Sequence, residues 1–179
     1  LLKKIEKEII LKKIKYFKDK RGNFFKIFSQ NELKINNQNF NIKQVNFVQN
    51  KQKGITRGLH YQSNHYAERK IITCVKGKIQ NVIVQMNKIK KNYLKSYTFI
   101  LSEKNKKVLI VPKNYANGYQ VLTNKTEVIY CSDNFYNKNY ENIINPDDPK
   151  IKINWKLKKK IQTKKDKFSK FFKWKKKKL

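Results

Sequence analysis

Short apolar stretches rich in valine, isoleucine and aromatic residues recur along the chain. They are separated by turn residues such as Lys76-Gly77 and Pro112-Lys113-Asn114. Short β-branched runs between such turns predict strands, and many of them at close spacing predict a mainly all-β sandwich or barrel. The predicted strands are Phe24–Phe28, Val45–Val48, Ile71–Val75, Ile79–Val84, Ser96–Leu101, Val108–Val111, Tyr119–Leu122 and Val128–Ser132.

The two ends of the chain have different patterns. Alternating apolar positions in residues 1–20 predict one or two short strands before the turn Asp19–Gly22, and the Asn/Gln-rich residues 31–41 predict a loop or a short helical turn. From Asn154 onward, aromatic residues among many lysines recur at irregular helical spacing, which predicts a short C-terminal helix. We expect one domain spanning 1–179, with a lysine-rich segment of about 156–179 packed on it or partly frayed. A helix lying on an anionic membrane surface is the alternative for that segment.

A formal net charge of +32 favours contact with nucleic acid or anionic surfaces. Only Arg21, Arg57 and Arg69 are arginine among the 44 basic residues, whereas nucleic-acid readers use the planar guanidinium widely. We therefore interpret the lysines as a solvated surface encoded by an AT-rich genome, with a nucleic-acid-binding module as the minority alternative. No apolar run has the length of a membrane span, so a cytoplasmic location is expected, and Cys74 and Cys131 are expected to be buried thiols.

The sequence has two histidines, and His60 in Arg57-Gly-Leu-His-Tyr-Gln is the first candidate for proton transfer near neutral pH. His60, His65 and Glu68 also form a cluster of possible metal ligands. A cupin metal site needs a further histidine from a later strand, and Asn117 occupies that position. No metal and no cofactor are therefore expected, and His65 is expected to be a surface residue. A metal-dependent cupin enzyme is kept as an alternative.

Seven blocks of sequence, in order over nearly the whole chain, resemble the dTDP-4-dehydrorhamnose 3,5-epimerase family. One short motif would be a weak match, but seven in the right order make a specific one. The blocks are DKRGNFFKIF (19–28), QVNFVQN (44–50), GITRGLHYQ (54–62), KIITCVKGKIQNVIV (70–84), LSEKNKKVLIVPKNYANGYQVL (101–122), IYCSDNFY (129–136) and NPDDPKIKINW (145–155).

The resemblance implies a cupin-type jelly roll without a catalytic metal, acting on a nucleotide-linked 4-keto-6-deoxy sugar. It also implies a homodimer. By position in the motifs, His60 is similar to the family's base, Asp166 to its partner carboxylate and Tyr130 to its acid. Lys70 and Arg57 match residues near the keto oxygen and the pyrophosphate. The alternatives from residue type alone are a core tyrosine at 130 and a solvated ion-pair partner at 166.

Further positions match residues with which the family binds the sugar nucleotide. They are Arg21, Phe24, Gln44, Asn46 and Tyr136, and the aromatic rings among them suit stacking on a base. For Phe24, a place in the core is an equal alternative.

Three departures from the family pattern bear on specificity. Asn117 and Asn81 stand where a histidine and an aspartate are usual, and Lys26 stands where a glutamate is usual. We expect Asn117 to bind substrate in place of that histidine. A relative that acts on another nucleotide sugar, for example a GDP-linked one, or that inverts C3 alone, is therefore an open alternative.

Overall fold

The computed structural model describes residues 2–4, 9–30 and 39–172. Its strands form two antiparallel sheets and a separate hairpin. Valine, isoleucine and aromatic residues alternate in direction along these strands, so each sheet presents an apolar face to the other. The arrangement is a cupin-like jelly roll, as the sequence predicts.

Among the described residues, the first sheet has six strands. In order across the sheet they are β1 (Leu2–Lys4), β2 (Ile10–Lys13), β10 (Lys107–Val111), β7 (Lys70–Lys76), β12 (Thr126–Ser132) and β5 (Gln44–Asn50). At the edge of this sheet, β5 pairs with β12 in a register that sets Asn46 opposite Tyr130.

The second sheet has five strands in the order β13-β6-β11-β8-β9. Its strands are β6 (Thr56–Gln62), β8 (Lys78–Gln85), β9 (Ser96–Ser102), β11 (Tyr115–Val121) and β13 (Glu141–Ile143). The hairpin consists of β3 (Tyr16–Asp19) and β4 (Gly22–Phe25), joined by the predicted turn.

The main core lies between the sheets. It joins side chains of the first sheet, such as Ile72 and Val128, to side chains of the second, such as Ile79 and Val121. Strands β6 and β11 approach each other closely beside this core, because Gly118 and Gly58 face each other's backbones. A Cβ on Gly118 would lie 2.5 Å from the Arg57 carbonyl oxygen.

The predicted short C-terminal helix is present as α1 (Lys164–Lys167), and residues 154–163 before it are not helical. Thr163 caps α1 by accepting a hydrogen bond from the Asp166 N–H. Residues 173–179 of the predicted segment lie outside the described residues, as do 31–38 of the predicted loop. No helix in the described ranges has the length and apolar character needed to cross a membrane.

Two buried glutamines hold the segment before α1 in a non-helical conformation. Gln80 donates to the Asn154 carbonyl at 2.7 Å and accepts from the Lys156 N–H at 2.7 Å. Gln120 makes the same pair of bonds with the carbonyl and the N–H of Leu157, both at 2.9 Å. These side chains supply backbone hydrogen bonds that a helix would otherwise have formed within itself. The segment therefore runs along the second sheet and brings α1 to β6, where Asp166 contacts Gly58 and His60.

Candidate active site

A cavity of about 290 Å³ opens between the two sheets where α1 meets β6. Two β-strands of the second sheet, β6 and β11, form one wall, and β5, β7 and β12 of the first sheet form the other. Three cations and one histidine face the same space as two phenols and a carboxylate. The polar lining residues are Arg57, His60, Lys70, Asn117, Tyr119, Tyr130, Thr163, Lys165 and Asp166.

His60 and Asp166 form a hydrogen-bonded pair within this cavity. The Nε2 atom of His60 lies 2.7 Å from Oδ1 of Asp166, and the Gly58 N–H donates to Oδ2 at 3.2 Å. Burial alone would raise the pKa of Asp166, but the hydrogen bonds and the nearby His60 outweigh it and lower that pKa. An ionised carboxylate only accepts, so Nε2 carries the hydrogen. In neutral His60 the lone pair is consequently on Nδ1.

Glu141, at the start of β13, is the second carboxylate beside His60. Its Oε1 lies 3.5 Å from Nδ1 of His60. Its Oε2 accepts hydrogen bonds from Tyr136 at 2.9 Å and from Lys165 at 2.6 Å. Burial raises the pKa of Glu141, but the bonds from Lys165 and Tyr136 outweigh that effect and lower it. A proton taken up at Nδ1 would therefore lie beside a fixed negative charge.

Sequence reasoning missed Glu141 and Lys165. A lone glutamate after an asparagine-rich loop and one lysine among many carry no pattern that marks a site. The register that pairs β13 with β6, setting Glu141 opposite Gln62 and Ile143 opposite His60, brings Glu141 to the site. The docking of α1 brings Lys165 to Glu141.

Lys70 and Tyr130 occupy the wall formed by the first sheet. In the register of β7 and β12, Ser132 faces Lys70 and Tyr130 faces Ile72, so Lys70 and Tyr130 lie on one face of the sheet. Burial raises the pKa of Tyr130, the negative charge of Glu68 adds to this, and Arg57 opposes it. The phenol is therefore kept in its protonated form over a wide pH range.

Asn117 stands directly across from His60 in the pairing of β11 with β6. Its Nδ2 donates to Asn81 Oδ1 at 2.8 Å and to the Val82 carbonyl at 3.1 Å. The backbone acceptor fixes which end of the amide is the nitrogen. Both amide hydrogens are thus used within the protein, and the carbonyl end of Asn117 is the group left for a ligand. Arg57 is anchored by its Nε, which donates to Asn50 Oδ1 at 3.0 Å.

The remaining predicted binding residues lie outside the cavity lining. Gln44 and Asn46 are on β5, beside the lining residue Val48. Arg21 and Phe24 are on the hairpin and line a separate surface groove, so the chain does not bring them to its own His60. Tyr136 is exposed, and its hydroxyl donates to Glu141, which lies 3.5 Å from Nδ1 of His60.

The structure also shows where His65 lies and how the possible metal-ligating side chains are arranged. His65 is exposed in the short 3₁₀ helix Asn64–Tyr66, and its ring packs 5.5 Å from that of Tyr140. Within the described ranges, no three His, Cys, Asp or Glu side chains converge in an arrangement that could hold a metal ion.

The cavity thus combines a histidine held by a carboxylate, two phenols and three cations on a jelly-roll scaffold. The histidine comes from one sheet and Tyr130 from the other, an arrangement that suits proton transfer at a carbon between them. These features define the class as an isomerase with a cupin-like fold.

Comparison with known proteins agrees with that class. The sequence model described as dTDP-4-dehydrorhamnose 3,5-epimerase matches residues 4–173. A dTDP-4-dehydrorhamnose 3,5-epimerase from Shigella flexneri is 34% identical over 163 residues, covering 89% of this chain and 88% of that protein. The chain therefore belongs to the dTDP-4-dehydrorhamnose 3,5-epimerase family, a family of isomerases.

Solved structures show the same relationship. The dTDP-4-dehydrorhamnose 3,5-epimerase of Bacillus anthracis, determined with TDP and pyrophosphate bound, superposes with a TM-score of 0.90 at 28% identity and covers 96% of this chain and 100% of that one. A dTDP-6-deoxy-D-glucose-3,5-epimerase of Legionella pneumophila, in complex with dTDP-4-keto-L-rhamnose, superposes with a TM-score of 0.86 at 28% identity, covering 92% and 87%. The jelly-roll prediction and the family resemblance are both confirmed.

Proposed function

We propose that this protein inverts C3 and C5 of a dTDP-linked 4-keto-6-deoxy sugar by proton transfer through an enolate. The observation that carries the proposal is the His60–Asp166 pair on one wall of the cavity with Tyr130 on the other. The Legionella relative, whose structure contains dTDP-4-keto-L-rhamnose, supports the choice of substrate. The two free cysteines support the cytoplasm as the compartment.

In the proposed mechanism, Nδ1 of His60 removes a proton from the carbon next to the ketone. Asp166 holds the tautomer that this step needs and stabilises the imidazolium that results. The carbanion delocalises into the ketone, and the ammonium of Lys70 stabilises the enolate oxygen. Tyr130 then delivers a proton to the opposite face, which inverts the centre.

Substrate binding is assigned to the cations and polar groups around the pair. Arg57 and Lys165 line the cavity and suit a pyrophosphate. Tyr136 lies beside them at the surface, where its ring suits stacking on a base. Asn117 offers a hydrogen-bond acceptor to a sugar hydroxyl across from His60.

Solvent proton exchange tests this function. The protein is incubated with dTDP-4-keto-6-deoxyglucose in deuterated water, and NMR follows label at C3 and C5. Label should enter both carbons, and His60→Ala should abolish it, whereas His65→Ala, a change of the exposed histidine, should leave it intact. Folded wild-type protein that introduces no label at either carbon would refute the proposal.

The same assay separates the finer alternatives. Label at C3 alone would indicate a C3 epimerase, and activity on a GDP-linked but not a dTDP-linked sugar would replace the nucleotide assignment. Bound iron, zinc or manganese in stoichiometric amount, measured by elemental analysis, would favour a metal-dependent cupin. Tight nucleic-acid binding with a steep salt dependence would favour the nucleic-acid-binding module.

We also propose a homodimer built on the exposed apolar surface of β5 and the hairpin. Val45 and Phe47 on the edge strand are 64% and 55% exposed, and Phe17 and Phe24 on the hairpin are 66% and 62% exposed. An edge strand with outward apolar residues suits pairing with a second copy. Such a dimer would let Arg21 and Phe24 act in the partner's cavity.

Sedimentation measures the mass of the protein in solution and therefore tests the homodimer directly. Phe47→Lys should shift the protein from dimer to monomer, because a charge would be buried in the interface. Ile89→Lys, at a residue 95% exposed elsewhere, is the matched control and should not change the mass. A wild-type monomer, or a Phe47→Lys dimer as tight as wild type, would contradict it.

A further inference from the structure

Glu68 forms an ion pair behind the cavity wall. Its Oε1 lies 3.0 Å from Nζ of Lys70, and both side chains are largely buried, at 10% and 16% exposure. Lys70 lines the cavity, whereas Glu68 does not. Leaving a buried carboxylate without an opposite charge costs free energy. The ion pair therefore holds both side chains in place.

The pair has a geometric effect on the ammonium. Lysine has three N–H donors, and a carboxylate that engages one of them from behind directs the others elsewhere. Because Lys70 begins β7 and lies on the cavity face with Tyr130, those donors are turned to the space where a ligand would bind. A free lysine side chain would lose more rotamer entropy on reaching the same position.

We propose that Glu68 is a positioning residue for the inversion: it anchors the Lys70 ammonium at the enolate oxygen, and its charge offsets that of Lys70 on the sheet face that also carries Tyr130. This inference rests on the proposed epimerase function. It assigns a role to a side chain that touches no substrate and acts only through Lys70 and Tyr130.

The charges around Tyr130 are consistent with this role. Burial raises the pKa of Tyr130 first, and Glu68 is the acidic group that raises it further. Arg57 acts in the opposite direction. The other titratable groups that line the same cavity are Lys70, His60, Tyr119, Lys165 and Asp166. Removing the Glu68 charge leaves Arg57 and Lys70 unopposed at the phenol, which favours the phenolate.

The test compares exchange with inversion in Glu68→Gln, which keeps the shape and a hydrogen-bond acceptor but removes the charge. The kcat for inversion should fall about ten-fold or more with KM nearly unchanged, as expected for loss of a charge-assisted hydrogen bond away from the substrate. The alkaline limb of inversion should move to lower pH. Deuterium exchange by the His60–Asp166 pair should keep its alkaline limb, so label without inversion should accumulate at high pH.

Two further variants make the result specific. Glu68→Asp retains the charge and should restore the position of the alkaline limb even where kcat stays reduced. Glu127→Gln removes the partner of Lys76, 3.8 Å away on the same sheet and outside the cavity lining, and should leave both profiles unchanged. If Glu68→Gln fails to fold, Glu68→Met, which also removes the charge at a similar side-chain size, carries the same comparison.

Four outcomes bear on the inference. An alkaline limb of inversion that does not move in Glu68→Gln, or that moves in Glu68→Asp alone, overturns it. Equal loss of exchange and inversion at every pH also overturns it, since a merely structural role predicts that pattern. A wild-type protein without any exchange is a failure of the epimerase function itself and is recognised before any variant is made.

Discussion

Replacing Asp166 by asparagine tests the pair on which the proposed function depends. Both carboxylate oxygens of Asp166 accept hydrogen bonds, Oδ1 from His60 and Oδ2 from the Gly58 N–H. Asparagine has one oxygen and one NH₂ group, so it can satisfy only one of these donors. If the oxygen turns to Gly58, the NH₂ faces Nε2 and forces the hydrogen of His60 onto Nδ1, where the lone pair is needed.

The size of the loss follows from these contacts. A charge-assisted hydrogen bond contributes about 2 to 3 kcal/mol, and at 1.36 kcal/mol per factor of ten this corresponds to about 30- to 160-fold in rate. A forced change of tautomer adds to this, and the comparable change in a serine-protease triad costs about 10⁴-fold. We therefore expect the rate of deuterium exchange at C3 and C5 to fall by a factor between about 30 and about 10⁴.

The assay is the initial rate of label uptake in deuterated water, with thermal unfolding to confirm that the variant is folded. Asp147→Asn is the matched control, because Asp147 pairs with Lys160 at the surface and does not line the cavity. Exchange in folded Asp166→Asn at the wild-type rate would refute the assignment of Asp166 as the partner of the base.

Three more predictions follow from the same contacts. Tyr130→Phe should abolish inversion while retaining exchange at one carbon, because His60 still removes and returns the proton on its own face; inversion at the wild-type rate by NMR would contradict the assignment of the acid. The lowered pKa values of Asp166 and Glu141 contribute stability that is fully present above their unfolded pKa values of about 4 and is lost as pH falls through their folded pKa values. Chemical unfolding measured against pH should therefore show a smaller loss of unfolding free energy at acid pH in Asp166→Asn than in wild type. The same dependence of unfolding free energy on pH in both proteins would contradict this linkage. Gly118→Ala should destabilise the protein by about 1 to 3 kcal/mol, since its Cβ would lie 2.5 Å from the Arg57 carbonyl oxygen and 2.8 Å from Leu59 Cδ2; an unchanged denaturation midpoint would show that β6 and β11 can separate.

Sequence patterns located most strands because β-branched runs bounded by turns have few other structures open to them. The predicted strand Phe24–Phe28 is β4 in the structure, which runs from Gly22 to Phe25. Ile27 and Phe28 pack against a buried apolar cluster after the hairpin has ended. The predicted strand Tyr119–Leu122 begins earlier, at Tyr115, because Ala116, Asn117 and Gly118 pair within the sheet although their residue types are typical of turns. Residues 1–20 contain three described strands where one or two were expected.

The shortness of the C-terminal helix has a different cause. Aromatic spacing after Asn154 suggested a helix from that point, but the backbone there is satisfied by Gln80 and Gln120, residues far away in sequence. The pairing of His60 with Asp166 was available only through family resemblance, since 106 positions separate them along the chain. Nothing in the local sequence of Glu141 or Lys165 indicated a role, because the first is brought to the site by sheet register and the second by the docking of α1.

Gln80 and Gln120 hold the segment that leads to Asp166, and this segment follows all the described strands in the chain. Every strand of the described sheets ends before Ile144, whereas Asp166 follows them all and is reached through residues 154–157, which dock on Gln80 and Gln120. The chain therefore contains all of these strands before it reaches the carboxylate that pairs with His60. A chain shortened just before Thr163 should keep those strands and lack the partner of His60.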